Sequence, residues 1–127
     1  MTAIQYMKKG QVVFQEGSRS DFAFIIQNGQ VEVSRKRKDG NIEVVDILGQ
    51  NDIFGEIGMI DGGPRSATVT ALENSKVTMI SREDLNEMTR KDPKAWFPIM
   101  KAMSTRLRRT ATKDKKFLSN ANLVRKG

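Results

Sequence analysis

The chain has 127 residues, 38% hydrophobic and 29% charged, which is the balance of an ordinary soluble protein and a length within the usual range of about 100–150 residues for one domain. It contains neither cysteine nor histidine, which excludes disulfides, thiolate metal sites and cysteine nucleophiles, and removes the commonest general base and transition-metal ligand. The net charge of +7 is unevenly spread: residues 1–80 carry nine Lys and Arg against ten Asp and Glu, and residues 81–127 carry thirteen against five. No apolar run approaches the roughly 18–20 residues needed to cross a bilayer, and the first ten residues hold no stretch of signal-peptide length, so a cytoplasmic location is the expectation.

From Gly10 to Ile80 short runs rich in β-branched and aromatic residues alternate with glycines at 17, 29, 40, 49 and 55, the spacing of an all-β sandwich or barrel. Strands are predicted at Gln11–Phe14, Phe22–Ile26, Val31–Arg35, Ile42–Leu48 and Ala67–Leu72. Asp39-Gly40 supplies the positive φ that a tight hairpin demands, and the basic run Arg35, Lys36, Arg37, Lys38 leading into it reads as a solvated edge that resists aggregation. After Ile80 the texture turns helical. Ser81 followed by Asp84 resembles a capping box with an acid in place of the usual Glu or Gln, which predicts a helix over 82–90 with Leu85 and Met88 on one face. Asp92-Pro93 opens a second, longer helix, in which Trp96, Met100, Met103, Leu107 and Thr110 recur at spacings of three and four. Pro98 removes one backbone donor and is expected to kink it. Order is expected to fade from about Phe117, and 118–127 reads as a tail.

The segment Phe54-Gly-Glu-Ile-Gly-Met-Ile-Asp-Gly-Gly-Pro-Arg-Ser-Ala-Thr-Val69 resembles the phosphate-binding cassette of the cyclic-nucleotide-binding domain family: Phe-Gly-Glu, a few small or aliphatic residues, a short turn, then Arg, a small residue, Ala, Thr or Ser, and Val. Gly10-Gln-Val-Val-Phe-Gln-Glu-Gly17 is similar to the family's opening strand and turn, and Phe24-Ile-Ile-Gln-Asn-Gly29-Gln-Val31 to its next hairpin, so the likeness runs over residues 10–113. It implies a mainly β fold of jelly-roll type, an eight-stranded β-roll followed by two helices, the last acting as a lid over bound nucleotide. Within one domain spanning 1–127, the roll would occupy 10–80, the cassette 54–69 and the helical lid region 81–117. The implied ligand is cAMP, with cGMP as the alternative, and no further cofactor and no metal.

The chemistry suits these residue types. A cyclic phosphodiester offers one negative charge, two exocyclic oxygens and a ribose 2′-hydroxyl. Residues 55–60 can form one helical turn whose first N–H groups lack intrahelical partners, with Gly55 and Gly58 letting the phosphate approach closely and Phe54 and Ile57 beside them in the expected ligand site. Arg65 can place a planar fork on the phosphate, Ser66 can add a hydroxyl beside Ala67, and Glu56 can accept from the 2′-hydroxyl. By alignment with the family's catabolite activator, Thr110 takes the position of a threonine that reaches the adenine amino group, while Met100, Met103 and Leu107 read as core.

Two features depart from the family. The helical segment that usually precedes the roll shrinks here to about nine residues, and nothing resembling a helix-turn-helix, kinase or channel pore follows the lid. The output is therefore expected from an effector protein or an effector domain elsewhere. A different reading rests on Arg106, Arg108, Arg109, Lys113, Lys115, Lys116, Arg125 and Lys126, which would suit nucleic acid or an anionic membrane. A phosphodiesterase using magnesium on Asp61 and Glu56 is a third, disfavoured by the absence of histidine, so the chain reads as a non-enzyme.

Overall fold

The computed structural model describes residues 3–97, 99–101 and 103–105. Eight strands precede the main helical part: β1 (Ala3–Met7), β2 (Val12–Phe14), β3 (Phe22–Asn28), β4 (Val31–Lys36), β5 (Ile42–Leu48), β6 (Ile53–Phe54), β7 (Thr68–Ala71) and β8 (Ser75–Ser81). A five-residue helix, α1 (Ile57–Asp61), lies between β6 and β7, and α2 (Arg82–Lys91) follows β8. The strands form two four-stranded antiparallel sheets, ordered β1-β8-β3-β6 and β2-β7-β4-β5.

Both sheets feed one core. Met7, Phe24, Ile26, Phe54 and Val77 come from the first, and Val31, Leu48, Val69 and Ala71 from the second. The alternation that made these segments legible follows from the pleat, because successive side chains leave a strand on opposite faces. Within the core Phe24 stacks on Phe54 with ring centroids 5.0 Å apart, and Phe14 lies 5.9 Å from each.

The β4–β5 hairpin forms where Asp39-Gly40 predicts it. Gly40 takes a φ of 88°, its N–H donates to Arg37 O at 3.0 Å, and Arg37 N–H donates to Asn41 O at 2.7 Å. The basic run 35–38 beside it is exposed, as a solvated edge requires. Three strands escaped the sequence reading. β1 occupies residues expected to be the remnant of a leading helical segment, yet it pairs residue for residue with β8, from Ala3 opposite Met79 to Met7 opposite Ser75. Four of its five residues are exposed, so no buried alternation announces it.

Ser81 caps α2 as expected: its hydroxyl accepts from Asp84 N–H at 3.0 Å, and the Asp84 carboxylate accepts from Ser81 N–H at 3.3 Å. Acidic Glu83 and Asp84 sit in the first turn and basic Arg90 and Lys91 in the last, both favourable to the helix dipole. The buried face differs from expectation. Leu85 is buried with Thr89, four residues on, whereas Met88 is 41% exposed. Thr89 tolerates burial because its hydroxyl donates to Leu85 O at 2.8 Å.

The chain divides into two compact units between Asp92 and Pro93, so α2 belongs with the sheets. Asp92 closes α2 as its C-cap in an extended conformation; Pro93–Ala95 is a 3-10 turn, and helix resumes in the described residues of 96–105. In that second unit Ile99 is buried while Met100 and Met103 are 55% and 37% exposed, so these two methionines are not the core residues expected. Pro98, Leu107, Thr110, the basic positions from Arg106 onward and the tail 118–127 lie outside the described residues. Among the described residues no helix is long and apolar enough to cross a membrane.

Candidate functional site

The cassette runs from the end of β6 through α1 to the start of β7. Phe54 is fixed by its stack on Phe24, and the chain must then turn sharply away from the sheet. Gly55 makes that turn with a φ of 79°, in the left-handed region that L side chains rarely enter. A second constraint acts at the same residue. A Cβ on Gly55 would lie 2.6 Å from Arg65 Nη1 and 3.2 Å from both a Phe14 ring carbon and Phe22 O.

Glu56 follows and is completely buried. Its carbonyl accepts from both Met59 and Ile60 N–H at 3.1 Å, starting α1, while its side chain makes no cap hydrogen bond. Gly58 and Met59 face inward; Ile57 and Ile60 are exposed. Gly62, left-handed at φ 74°, ends the helix by donating to Gly58 O at 2.9 Å. Buried Ser20, from the β2–β3 loop, packs where a Cβ on Gly58 would stand, and its Oγ has no hydrogen-bond partner among the described residues.

Arg65 is the centre of the site. Its backbone is gripped by the β2–β3 loop, because Arg65 N–H donates to Ser18 O and Gly17 N–H donates to Arg65 O, both at 2.8 Å. Its side chain turns inward and is only 6% exposed. Nη1 donates to Gly55 O at 2.8 Å, Nη2 donates to Phe22 O at 2.7 Å, and Cζ stands 3.9 Å from the centroid of the Phe14 ring. Nε is buried and has no hydrogen-bond partner among the described residues. Burial lowers the pKa of this guanidinium, and the charges of Asp21 and Glu56 oppose that shift.

The structure buries Phe54, Glu56, Gly58, Arg65 and Ala67, sets the half-buried Gly55 against Arg65, and leaves Ile57 and Ser66 exposed. Instead of presenting an open fork, Arg65 engages each terminal nitrogen with a main-chain carbonyl, because a buried cation requires acceptors wherever the fold can supply them. Sequence reasoning missed Phe14, Phe22, Ser18 and Ser20, which hold or border the cassette residues. A separate cavity of about 660 Å³ is lined by Gly17–Asp21, Gly62–Pro64 and Arg82; neither Glu56 nor Arg65 lines it. Asp61, the other acid considered as a metal ligand, accepts from Gly63 N–H at 2.8 Å, and no group of three or more acids among the described residues is placed to hold a metal ion.

Residues 4–92 match the model of a known family, the cyclic nucleotide-binding domain. The CRP-like cAMP-activated global transcriptional regulator of Mycobacterium tuberculosis is 31% identical over 102 residues, covering 80% of this chain and 46% of the regulator. Among solved structures, the Thermus thermophilus catabolite activator protein superposes with a TM-score of 0.82 at 25% identity, covering 93% of this chain and 55% of that one. The regulatory domain of Toxoplasma gondii PKA with cAMP gives a TM-score of 0.65 at 27% identity, over 68% of this chain and 33% of that one. The chain thus spans about half the length of the curated relative, and the matched region takes in both sheets, the cassette and α2. On the strength of that match, the chain belongs to the cyclic nucleotide-binding domain family.

Proposed function

We propose that this regulatory domain senses cAMP in preference to cGMP, without catalysis of its own, and passes the signal through movement of its C-terminal helix to an effector domain or partner in the cytoplasm. One observation carries the ligand class. A guanidinium enclosed by protein beside a wholly buried Glu56 keeps an Nε–H with no acceptor among the described residues, and a buried charged donor in that state is stabilised by an anion. The cyclic phosphate supplies the anion to Arg65 and to the first N–H groups of α1, and Ser66 adds a hydroxyl at the rim. Glu56 accepts from the ribose 2′-hydroxyl, and Thr110 contacts the base. The preference for adenine draws on the relatives, of which one is named as cAMP-activated and another was solved with cAMP. Signal transmission needs only a modest coupling, typically about 1–3 kcal/mol, between an empty and an occupied helix position.

Thermal unfolding with each nucleotide tests this reading. A ligand at about 100 times its dissociation constant adds roughly 2.7 kcal/mol, which raises the midpoint of a domain this size by on the order of 10 °C. A clear shift with cAMP and a smaller one with cGMP are expected, and Arg65→Lys should weaken binding more than about tenfold because a single ammonium cannot reproduce the planar fork. No shift with either nucleotide would overturn the proposal.

A further inference from the structure

The Phe14 ring lies under the Arg65 guanidinium, with Cζ 3.9 Å from the centroid, and we infer that Phe14 is a positioning residue for cyclic-nucleotide binding, fixing the plane of the arginine's guanidinium through its aromatic face. This rests on the function proposed above and adds a residue outside the cassette, on the opposite sheet from β6. Three observations converge on it. The ring packs against the stacked pair Phe24 and Phe54, 5.9 Å from each, so its position is tied to the aromatic cluster of the core. The two carbonyls of Gly55 and Phe22 fix the terminal nitrogens in direction but leave the guanidinium free to tilt about the line joining them; a π face set against the cation opposes that tilt. Finally, Gly55 lets ring and guanidinium approach together, since a Cβ there would meet both Arg65 Nη1 and the Phe14 ring.

The geometry separates two jobs that a hydrophobic residue at 14 might do. A leucine or methionine could fill the volume beside Phe24 and Phe54, yet neither offers a negative face to a cation. A tyrosine keeps that face. Loss of the aromatic face should therefore cost affinity even where it leaves the fold intact, and restoring it should restore affinity. Only a planar guanidinium at 65 should feel the difference strongly, since an ammonium carries a different shape and hydration.

The test is calorimetric titration of the full chain with cAMP for wild type, Phe14→Leu, Phe14→Met and Phe14→Tyr, each also in an Arg65→Lys background, with the unliganded unfolding midpoint recorded for every variant. Phe14→Leu and Phe14→Met should weaken cAMP binding roughly 3- to 30-fold. Phe14→Tyr should stay within about twofold of wild type, and in the Arg65→Lys background the leucine and methionine effects should shrink to less than about threefold. Equal or tighter binding by a folded Phe14→Leu or Phe14→Met variant overturns the inference, as does a full-sized loss that persists with Arg65→Lys. If Phe14→Leu does not fold, the methionine and tyrosine variants decide the matter by the same criteria. Wild-type protein that takes up neither cAMP nor cGMP would instead refute the function on which the inference stands.

Discussion

Alanine at Gly55 should destabilise the domain well beyond the cost of its backbone conformation, and the excess should trace to Arg65. Two terms dominate there, with the 3.2 Å approaches of the new Cβ to the Phe14 ring and to Phe22 O adding a smaller strain. A left-handed φ costs an L residue roughly 1–2 kcal/mol. The new Cβ would stand 2.6 Å from Arg65 Nη1, so the guanidinium must withdraw from Gly55 O, a bond now 2.8 Å long. Losing a hydrogen bond from a charged donor inside the protein costs about 1.5–3 kcal/mol, giving a total of about 2.5–5 kcal/mol. Gly62 is the internal control, because it has a comparable φ of 74° but nothing within 4 Å of its ideal Cβ. Gly62→Ala should therefore show the backbone term alone. Urea unfolding of both variants measures the difference, and repeating Gly55→Ala in an Arg65→Ala background should reduce its cost toward that of Gly62→Ala. If Gly55→Ala and Gly62→Ala fall within about 0.5 kcal/mol of each other with Arg65 present, the guanidinium is not clamped as its distances indicate.

Two other expectations follow from single groups. Ser81→Ala removes the hydroxyl that accepts from Asp84 N–H and should cost about 0.5–2 kcal/mol in urea unfolding while leaving cAMP affinity unchanged; a loss of affinity would mean that α2 bears on the nucleotide site. 2′-Deoxy-cAMP should bind at least tenfold more weakly than cAMP in calorimetric titration, since it withdraws the donor intended for Glu56, and equal affinity would remove Glu56 from ribose recognition.

The strands that were legible in sequence are those rich in β-branched and aromatic residues between glycine-marked turns, whether or not their burial alternates, as β5 with only Leu48 buried illustrates. β5 was read with its observed bounds, and β3 and β4 run one or two residues past theirs. β1 was illegible because pairing with β8, and not burial, holds it in place, and a backbone ladder leaves no pattern in side-chain hydropathy. β6 has only two residues, too few for any period to register. β8 does alternate, with Val77 and Ile80 buried, but its alternation breaks at the paired intermediates Thr78 and Met79. The α2 capping box was readable because it is local, spanning four residues. The buried face of α2 was not, because Thr89 is made apolar in effect by a hydroxyl bond back to its own helix.

The cassette was likewise visible as a set of residue types, and its own bends are local. What sequence could not display is the surroundings of Arg65. Its two acceptors are main-chain carbonyls, which every residue possesses, and one of them, Phe22 O, comes from 43 residues earlier in the chain. That arrangement changes how any substitution at 65 must be read. The arginine joins Gly55 on one side to Phe22 on the other, with the ring of Phe14 beneath, so it braces β6, β3 and β2 together as well as presenting charge. Lysine keeps the charge, but its single nitrogen cannot serve both carbonyls in the same geometry, so one carbonyl loses its donor in the empty protein too. The part of an Arg65→Lys effect that belongs to the ligand is therefore the loss of affinity remaining after the change in unliganded stability is measured separately. A variant that is destabilised and yet binds cAMP as tightly as wild type would assign the guanidinium to bracing alone.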